Sequence, residues 1–241
     1  MSPDNYFCER KLTYDLNANL LTLQRFSSSA LADNLMYAYE GNLLKSLTES
    51  CSDSPGDIYP RGKAGEATYE YDHSGHLLKD SRRALKFKYN LLNLTERAED
   101  LSGLEVIRYV YGYDGLKNRA ISGAGIEYVY LGSLTYMGFA QSLNPESIVF
   151  PEGRIAFSGQ VPQTYYHLTD HLGSVRAILS SDGSVRERND YYPFGARHSR
   201  NDYPQLAQNR YKYNGKESQQ NWKRQQRTVG AILRIEKKRT V

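Results

Sequence analysis

A short unit built on tyrosine recurs through the first half of the chain. Its clearest copy, YEYDHSGHL at residues 69–77, has the order Tyr, polar residue, two variable positions, Gly or Asn, one variable position and Leu. The defining positions of this copy are Tyr71, Asp72, Gly75 and Leu77. The other copies place their second tyrosine at Tyr14, Tyr39 (in a shortened form), Tyr89 and Tyr113, and Tyr128-Val129-Tyr130 opens a degenerate sixth.

Each unit predicts a β-hairpin. The rings of Tyr69 and Tyr71 share one face of a strand because strand side chains alternate. Asp72 then closes a turn with its own side chain, Gly75 tolerates a positive φ, and Leu77 begins the return strand. The hairpin is about 20 residues long, and hairpins stacked side by side bury one another's Tyr and Leu faces.

The alternative to a repeat array is an ordinary antiparallel β-protein with many tyrosines. The order of residue types is the same in four or five copies, and this favours the array. The spacing between copies is irregular, so loops of different length must separate the hairpins. The longest such loop covers residues 50–66, which are rich in Ser, Pro and Gly.

Composition supports a β-protein and argues against nucleic acid as a partner of the residues before the basic tail. The chain has 21 Tyr against 7 Phe and 1 Trp, and Tyr suits a pleated, half-buried surface. The net charge of +4 arises in the tail, because residues 223–241 contain seven Lys and Arg and one Glu. The body therefore has no large electrostatic attraction to nucleic acid. No apolar run approaches the length of a membrane span, and the first residues lack the apolar core of a signal peptide.

The stretch YYHLTDHLGSVRAI at residues 165–178 contains two histidines four apart. His167 and His171 would meet on a helix as metal ligands do, but the Tyr, Thr and Gly around them oppose a helix. On a strand they lie about 13 Å apart, too far for one metal. The stretch predicts a strand, a turn at Asp170–Gly173 and a second strand from Ser174 to Leu179.

The next residues predict another hairpin. Asp182-Gly183 suits a type I′ turn, and a loop of two residues would place Leu179 opposite Arg186 and Ile178 opposite Glu187. That face is not cleanly apolar, so the register stays open. Pro193 is expected to end the returning strand, and Gly195 to let the chain turn away.

Three other patterns, which could suggest a catalytic, phosphate-binding or cysteine site, do not indicate one. Asp72-His73-Ser74 cannot form a catalytic triad because adjacent residues lack the geometry. Gly123-Ala124-Gly125 is a turn and not a phosphate-binding loop. Cys8 and Cys51 are too few for a disulfide framework or a zinc site, and leave one bridge between them open. The sequence thus predicts no catalytic, cofactor-binding or metal-binding residues.

Four motifs of the second half occur in a fixed order: DHLGSVR at 170–176, Asp182-Gly183, YYPFG at 191–195 and YKYNGKE at 211–217. The series resembles the RHS-repeat-associated core domain in its Bacteroidetes-type versions, and the tyrosine units resemble the YD repeats of the same family. The resemblance covers about residues 12–217. It assigns a structural role to Asp170, His171, Leu172, Gly173, Ser174, Val175, Arg176, Asp182, Gly183, Tyr192, Pro193, Phe194, Gly195, Tyr213, Asn214 and Gly215, beside Tyr71, Asp72, Gly75 and Leu77.

The resemblance implies a long β-sheet that spirals into a hollow shell. In many family members the shell encloses a C-terminal toxin, and the proteins are secreted or lie at the cell surface. It further implies self-cleavage at an Asp-Pro motif beyond the NGKE-like motif. Here the last aspartate is Asp202, so a truncated core without cleavage machinery or toxin is expected, and a change of reading frame after Glu217 is a hypothesis for its origin.

The fold class expected is mainly β, with stacked antiparallel hairpin repeats forming a curved, open, shell-like sheet and a short tail that is helical or disordered. YD-type repeats would occupy residues 1–125, a core segment 126–217 and the basic tail 218–241. The function expected is a non-enzymatic shell fragment whose partner is the remainder of a larger shell or a partner protein. Two alternatives stay open: a Tyr-rich sheet that binds carbohydrate or protein, and a toxin-associated protein whose basic tail binds nucleic acid.

Overall fold

The computed structural model describes residues 6–28, 30–51, 65–139, 142–157, 161–198, 200, 202–206 and 209–217. The described residues form strands, turns and bends, and none of them is helical. The strands are β1 (Glu9–Tyr14), β2 (Leu20–Ser27), β3 (Ala30–Glu40), β4 (Leu43–Glu49), β5 (Gly65–Tyr71), β6 (Leu77–Asp80), β7 (Leu85–Tyr89), β8 (Thr95–Asp100), β9 (Glu105–Tyr111), β10 (Lys117–Ser122), β11 (Ile126–Leu131), β12 (Leu134–Phe139), β13 (Ser142–Phe150), β14 (Gly153–Ala156), β15 (Gln163–Thr169), β16 (Val175–Ser180) and β17 (Val185–Arg188). The prediction of a mainly β protein built from antiparallel hairpins is confirmed.

The chain divides into two compact units. The first contains the described residues up to 87 together with 191–198, and the second contains 88–190 and the described residues from 200 to 217. The expected boundaries at 125 and 217 remain predictions. The basic tail, 218–241, and most of the 50–66 loop lie outside the described residues.

The first unit is a meander in which each strand from β1 to β7 pairs antiparallel with the next. Its core lies on one face of the sheet, where Leu23 of β2 is directly opposite Leu35 of β3. Leu47 of β4 is likewise opposite Ala67 of β5, and Tyr69 completes the same cluster. Each fully buried leucine contributes roughly 1.5–3 kcal/mol, so this face holds the unit together.

The second unit continues the same pattern from β8 to β17. One row of its core runs across β9, β10 and β11, where Tyr109 is opposite Ala120 and Ala120 is opposite Tyr128. A second cluster is formed by buried residues of β14, β15 and β16, namely Ala156, Tyr165, Val175 and Ile178. Small and large side chains alternate across neighbouring strands, which allows the sheet face to pack without gaps.

Within the described residues, eight turns have the same backbone geometry, and we call this turn the tip. In each tip the N–H of the first residue donates to the carbonyl of the fifth, and the N–H of the fourth donates to the carbonyl of the first. The fourth residue always has a positive φ, as expected for a type I turn that ends in a left-handed bulge residue. The tips begin at Asp15, Asp72, Asn90, Asp100, Gly112, Asp170, Ser180 and Tyr192.

The tips refine the predicted repeats in three places. The fifth copy begins its turn at Gly112, so Tyr111 ends the strand and Tyr113, predicted as the strand tyrosine, lies fully exposed in the tip. The tip at Asp100 belongs to the same series, although it lacks the preceding tyrosine that defines the repeat. In the first copy the left-handed position is held by Ala18, with a φ of 62°.

The hairpin around residue 170 is confirmed almost to the residue. β15 ends at Thr169, the turn covers Asp170–Gly173, and β16 begins at Val175. The next turn differs from the predicted type I′, because Gly183 has a positive φ and Asp182 does not. The register that the sequence left open has Ile178 opposite Glu187, and a bulge then places Leu179 opposite Val185 instead of Arg186.

Pro193 does not end a strand. β17 ends at Arg188, and Pro193 lies inside the tip that begins at Tyr192. Its fixed φ suits the second position of a type I turn, which needs no N–H donor. Gly195 takes the left-handed position of that tip, with a φ of 75°, so its predicted role in turning the chain is confirmed.

Candidate functional site

The carboxylate at the start of a tip stabilises the turn by accepting hydrogen bonds from nearby backbone N–H groups. Asp72 Oδ1 accepts hydrogen bonds from the N–H groups of Ser74 at 2.9 Å and His76 at 2.8 Å. Its Oδ2 lies 2.8 Å from Nδ1 of His76. The hydrogen bond from the His76 side chain, followed by the backbone donors, lowers the pKa of Asp72. Asp72 and Ser74 therefore build a turn, and His76, which no sequence pattern marked as a partner of Asp72, completes it.

Asp170 repeats this arrangement in the DHLGSVR motif. Its Oδ1 accepts from the N–H of Leu172 at 3.0 Å and of Ser174 at 2.9 Å. The backbone donor of Ser174 is the largest cause that lowers the pKa of Asp170. His171 and Leu172 are the exposed second and third residues of the tip, and Gly173 takes the left-handed position with a φ of 76°.

Residues 209–217, which we call the closing segment, contact the DHLGSVR motif directly. The N–H of Val175 donates to the carbonyl of Lys212 at 2.7 Å, and the N–H of Gly215 donates to the carbonyl of Gly173 at 2.9 Å. Ser174 Oγ lies 3.1 Å from Oδ1 of Asn214 and accepts from the Asn214 N–H. Two motifs that are far apart in the sequence thus form one contact within the second unit.

The closing segment makes this contact through a tight turn. The N–H of Lys216 donates to the carbonyl of Tyr213 at 3.0 Å. Between them Asn214 and Gly215 have φ angles of 51° and 60°, the left-handed pair for which Asn-Gly is the preferred sequence.

Glu217, at the end of the closing segment, accepts hydrogen bonds from three sources. Lys117 Nζ and Tyr130 Oη each donate at 3.0 Å, and Arg210 donates through one guanidinium nitrogen. Arg210 also donates to Glu146 at 2.9 Å and lies over the ring of Tyr128. Burial, and then the charge of Glu217, raises the pKa of Tyr130, so Tyr130 remains a donor.

Glu187 of β17 is the centre of a second buried group. Its Oε1 accepts from Lys212 Nζ at 2.6 Å, from Asn189 Nδ2 at 2.6 Å and from Asn209 Nδ2 at 3.3 Å. Its Oε2 accepts from the N–H of Leu206 at 3.2 Å. Charged residues are seldom fully buried unless paired, and Glu187, at 0% exposure, is satisfied on both oxygens.

The YYPFG motif folds into the first unit. Tyr192 is buried, and its hydroxyl donates to the carbonyl of Phe26 at 2.6 Å. Its ring lies 5.0 Å from the guanidinium of Arg25. Arg25 in turn pairs with Glu9 at 2.7 Å and Asp33 at 2.6 Å, the residues directly opposite it on β1 and β3. The motif thus covers a buried row of charges.

Leu77 and Val175 are buried in the cores of their units, and other motif residues lie at the surface. Asp182 Oδ1 accepts from Ser180 Oγ at 2.6 Å, and this bond, with the N–H of Ser184, lowers the pKa of Asp182 to about 2. Arg176 pairs with Asp190 at 3.0 Å. Phe194 is the exposed third residue of its tip.

The two cysteines are thiols. Cys8 immediately precedes β1, and Cys51 follows β4 by two residues. Three strand spacings of about 4.8 Å separate β1 from β4, more than a disulfide can span. The bridge that the sequence left open does not form.

No metal centre is evident in the described ranges, because they contain no group of three or more His, Cys, Asp or Glu side chains suited to an ion. His167 lies in β15 and His171 in the following tip, as the sequence indicated. Burial, followed by the charge of Arg154, lowers the pKa of His167 to about 4. No helix of the described residues has the length and apolar character needed to cross a membrane.

A comparison with protein families matches the Teneurin YD-shell model to residues 5–206. The chain belongs to the Teneurin YD-shell family. The resemblance to RHS and YD-repeat proteins is thereby confirmed. No curated protein matches the chain.

Among solved structures, the YD-shell chain is similar to "Crystal Structure of TcdB2-TccC3", at 13% identity and a TM-score of 0.50 over 88% of this chain and 16% of that one. A Tc holotoxin pore from Photorhabdus luminescens matches at 13% identity and a TM-score of 0.48, with the same coverage. This YD-shell chain therefore spans about a sixth of the length of those proteins. The likeness to the first of the two shows a shared fold.

Membership in the YD-shell family indicates a structural role of the shell type. The family match ends at residue 206, so the closing segment, 209–217, lies beyond it. The sequence placed the tips at Asp72 and Asp170 correctly, whereas it misplaced the fifth tip by two residues. It did not find the buried groups around Glu187, Glu217 and Arg25, because their members come from distant parts of the chain.

Proposed function

We propose that this chain is a wall segment of a YD-repeat shell and has no catalytic role. The observation that carries the proposal is the series of hairpins with equivalent tips in the described part of a chain whose family is a shell family. Such a series buries its Tyr and Leu faces between neighbouring strands, which makes a stable wall from short units. The curved, open sheet predicted from the sequence belongs to this proposal.

The wall would be part of a larger assembly. The chain covers 16% of the length of the similar solved chain, so the rest of a shell would come from further YD-repeat polypeptide. The enclosed partner would be another polypeptide, and a toxin is the cargo that the family resemblance favours. Secretion or display at the cell surface follows from the same resemblance and is proposed with it.

The motif residues have a defined place in this proposal. The tip residues close the hairpins, and Ser174, Asn214 and Gly215 hold the closing segment against the β15–β16 hairpin. Tyr192 covers the charged row of the first unit. These contacts fix strands and turns, and none of them presents a nucleophile beside a base.

Affinity capture from the native cells tests the proposal. The tagged full-length chain is purified under native conditions, and its companions are identified by peptide sequencing. We expect a polypeptide with YD repeats and a second polypeptide that resists protease until denaturant opens the assembly. A chain that elutes as a monomer, with neither companion at native expression levels, would contradict the shell role.

A second function is favoured by exposed aromatic side chains. Tyr113 is fully exposed at a tip of the second unit, and Tyr166 is exposed on β15. Rigid aromatic rings of this kind bind carbohydrate or protein partners. If the chain is an interaction module, Tyr113→Ala will abolish its binding on a glycan array. Thr169→Ala, which changes an exposed polar residue, is the control and will leave binding unchanged. Equal binding signals from the two variants would exclude Tyr113 as a binding residue.

A further inference from the structure

The buried group around Glu187 brings an amine and a carboxamide to one carboxylate oxygen. Lys212 Nζ and Asn189 Nδ2 each lie 2.6 Å from Glu187 Oε1. The two nitrogens are therefore no more than twice that distance apart. Lys212 belongs to the closing segment, whereas Asn189 follows β17, so the group joins two separate parts of the second unit.

The carboxylate and both carboxamides of the site are buried, while the side chain of Lys212 is 16% exposed. Glu187 and Asn209 are 0% exposed and Asn189 is 2% exposed. Backbone bonds hold it in place, since the N–H of Asn189 donates to the carbonyl of Arg176 at 2.9 Å and the carbonyl of Lys212 accepts from Val175. An amine and a carboxamide held in this way have lost the freedom that normally opposes their reaction.

We propose that Lys212 and Asn189 join in an intramolecular isopeptide bond, with Glu187 as the proton relay. Lys212 Nζ attacks the side-chain carbonyl carbon of Asn189, the new Nζ–Cγ bond forms, and the Cγ–Nδ2 bond breaks. Of the three protons on the ammonium, one stays on the new amide and two pass by way of Glu187 to the departing nitrogen. That nitrogen leaves as an ammonium ion, so the reaction needs no oxidant and no other reactant.

The first proton transfer follows the hydrogen bond between Lys212 and Glu187. Lys212 Nζ lies 2.6 Å from Glu187 Oε1, so one proton can move from the ammonium to the carboxylate along this bond. The neutral amine is the nucleophile.

Asn189 is the acceptor in preference to Asn209. Asn189 Nδ2 is 2.6 Å from the relay oxygen and Asn209 Nδ2 is 3.3 Å from it. Both oxygen and nitrogen of the Asn209 amide are held by Tyr211, through its N–H at 3.1 Å and its carbonyl at 2.8 Å. Asn209 therefore orients the neighbouring backbone, and a bond to Asn189 would tie the closing segment covalently to the chain after β17.

Mass spectrometry of the full-length chain tests the bond. The purified protein is incubated until its mass is constant. We expect a mass lower by one ammonia than the sequence requires, and a tryptic product in which the peptides 189–197 and 211–216 are joined, since trypsin cannot cut at an acylated Lys212. An intact mass equal to that of the sequence, with free cleavage after Lys212, would overturn the proposal.

Three variants separate the bond from simple packing. Lys212→Arg keeps the charge beside Glu187 and Glu187→Gln keeps its size, and both should retain the full sequence mass. Asn209→Ser, the matched control, should still lose ammonia. Loss of ammonia in Lys212→Arg, or a joined peptide that contains Asn209, would overturn the assignment of Lys212 and Asn189. The readout is the covalent mass of the chain, so it is independent of whether a shell assembles.

Discussion

The N–H of Gly215 donates a hydrogen bond of 2.9 Å to the carbonyl oxygen of Gly173. The two glycines belong to different motifs, and both have the left-handed backbone that lets the chain turn at the point of contact. The bond places the closing segment against the β15–β16 hairpin. Glu217, two residues further along, can then meet Arg210, Tyr130 and Lys117.

Removal of the Glu217 carboxylate should destabilise the second unit. Glu217→Ala leaves Arg210 and Lys117 without one of their acceptors, and breaking a buried ion pair costs about 3 kcal/mol or more. Urea unfolding measures the loss. Glu70→Ala, which breaks the exposed pair with Lys79, is the control and should cost less than about 1 kcal/mol. Equal losses in the two variants would show that the Glu217 group is not a stabilising centre.

Two substitutions at the left-handed position of the tips should change the free energy of unfolding in opposite directions. Gly75, with a φ of 81°, and Ala18, with a φ of 62°, occupy the same place in their tips. A Cβ in this conformation costs about 1–2 kcal/mol, so Gly75→Ala should lower the free energy of unfolding and Ala18→Gly should raise it. Thermal unfolding of both variants checks this, and changes of the same sign would contradict the shared geometry.

The turns could be predicted from the sequence because their chemistry is local. Asp72 reaches N–H groups only two and four residues away, so the order Asp, x, x, Gly is sufficient. The error at Tyr113 has the same origin. Both Tyr111 and Tyr113 are followed by a plausible turn residue, and only the pairing of Lys117 with Tyr111 on β9 decides between them.

The buried charges could not be predicted in this way. Glu187 and Lys212 are of residue types that normally lie at the surface, and nothing close to either in the sequence marks it as buried. They meet only because the closing segment folds back along β16 and β17. Contacts of this kind depend on how the whole unit folds, so a local sequence pattern does not reveal them.

The tip carboxylate makes a third prediction. Asp72→Ala removes the acceptor for Ser74 and His76 and should lower the midpoint of thermal unfolding, whereas Asp72→Asn should retain most of it, since Asn90 fills the same role in its own tip. Because the pKa of Asp72 is lowered in the folded chain, its contribution is present above the unfolded pKa and is lost as the pH falls through the folded pKa. Asn and Ala variants with equal midpoints at neutral pH would rule out the capping role.

Burial of His167 predicts that the stability of the folded chain decreases at acidic pH. Its pKa falls from 6.5 to about 4 in the folded chain because burial disfavours the charged ring. Between these values the unfolded chain binds a proton that the folded chain does not, so stability should decrease as the pH falls through this window. His167→Gln removes this proton and should flatten the decrease relative to the parent chain. The two proteins should differ by a constant amount above the window, at about pH 8, where the imidazole is neutral in both states. Parallel stability curves from pH 6.5 down to about 4 would show that His167 is protonated equally in the folded and unfolded chains.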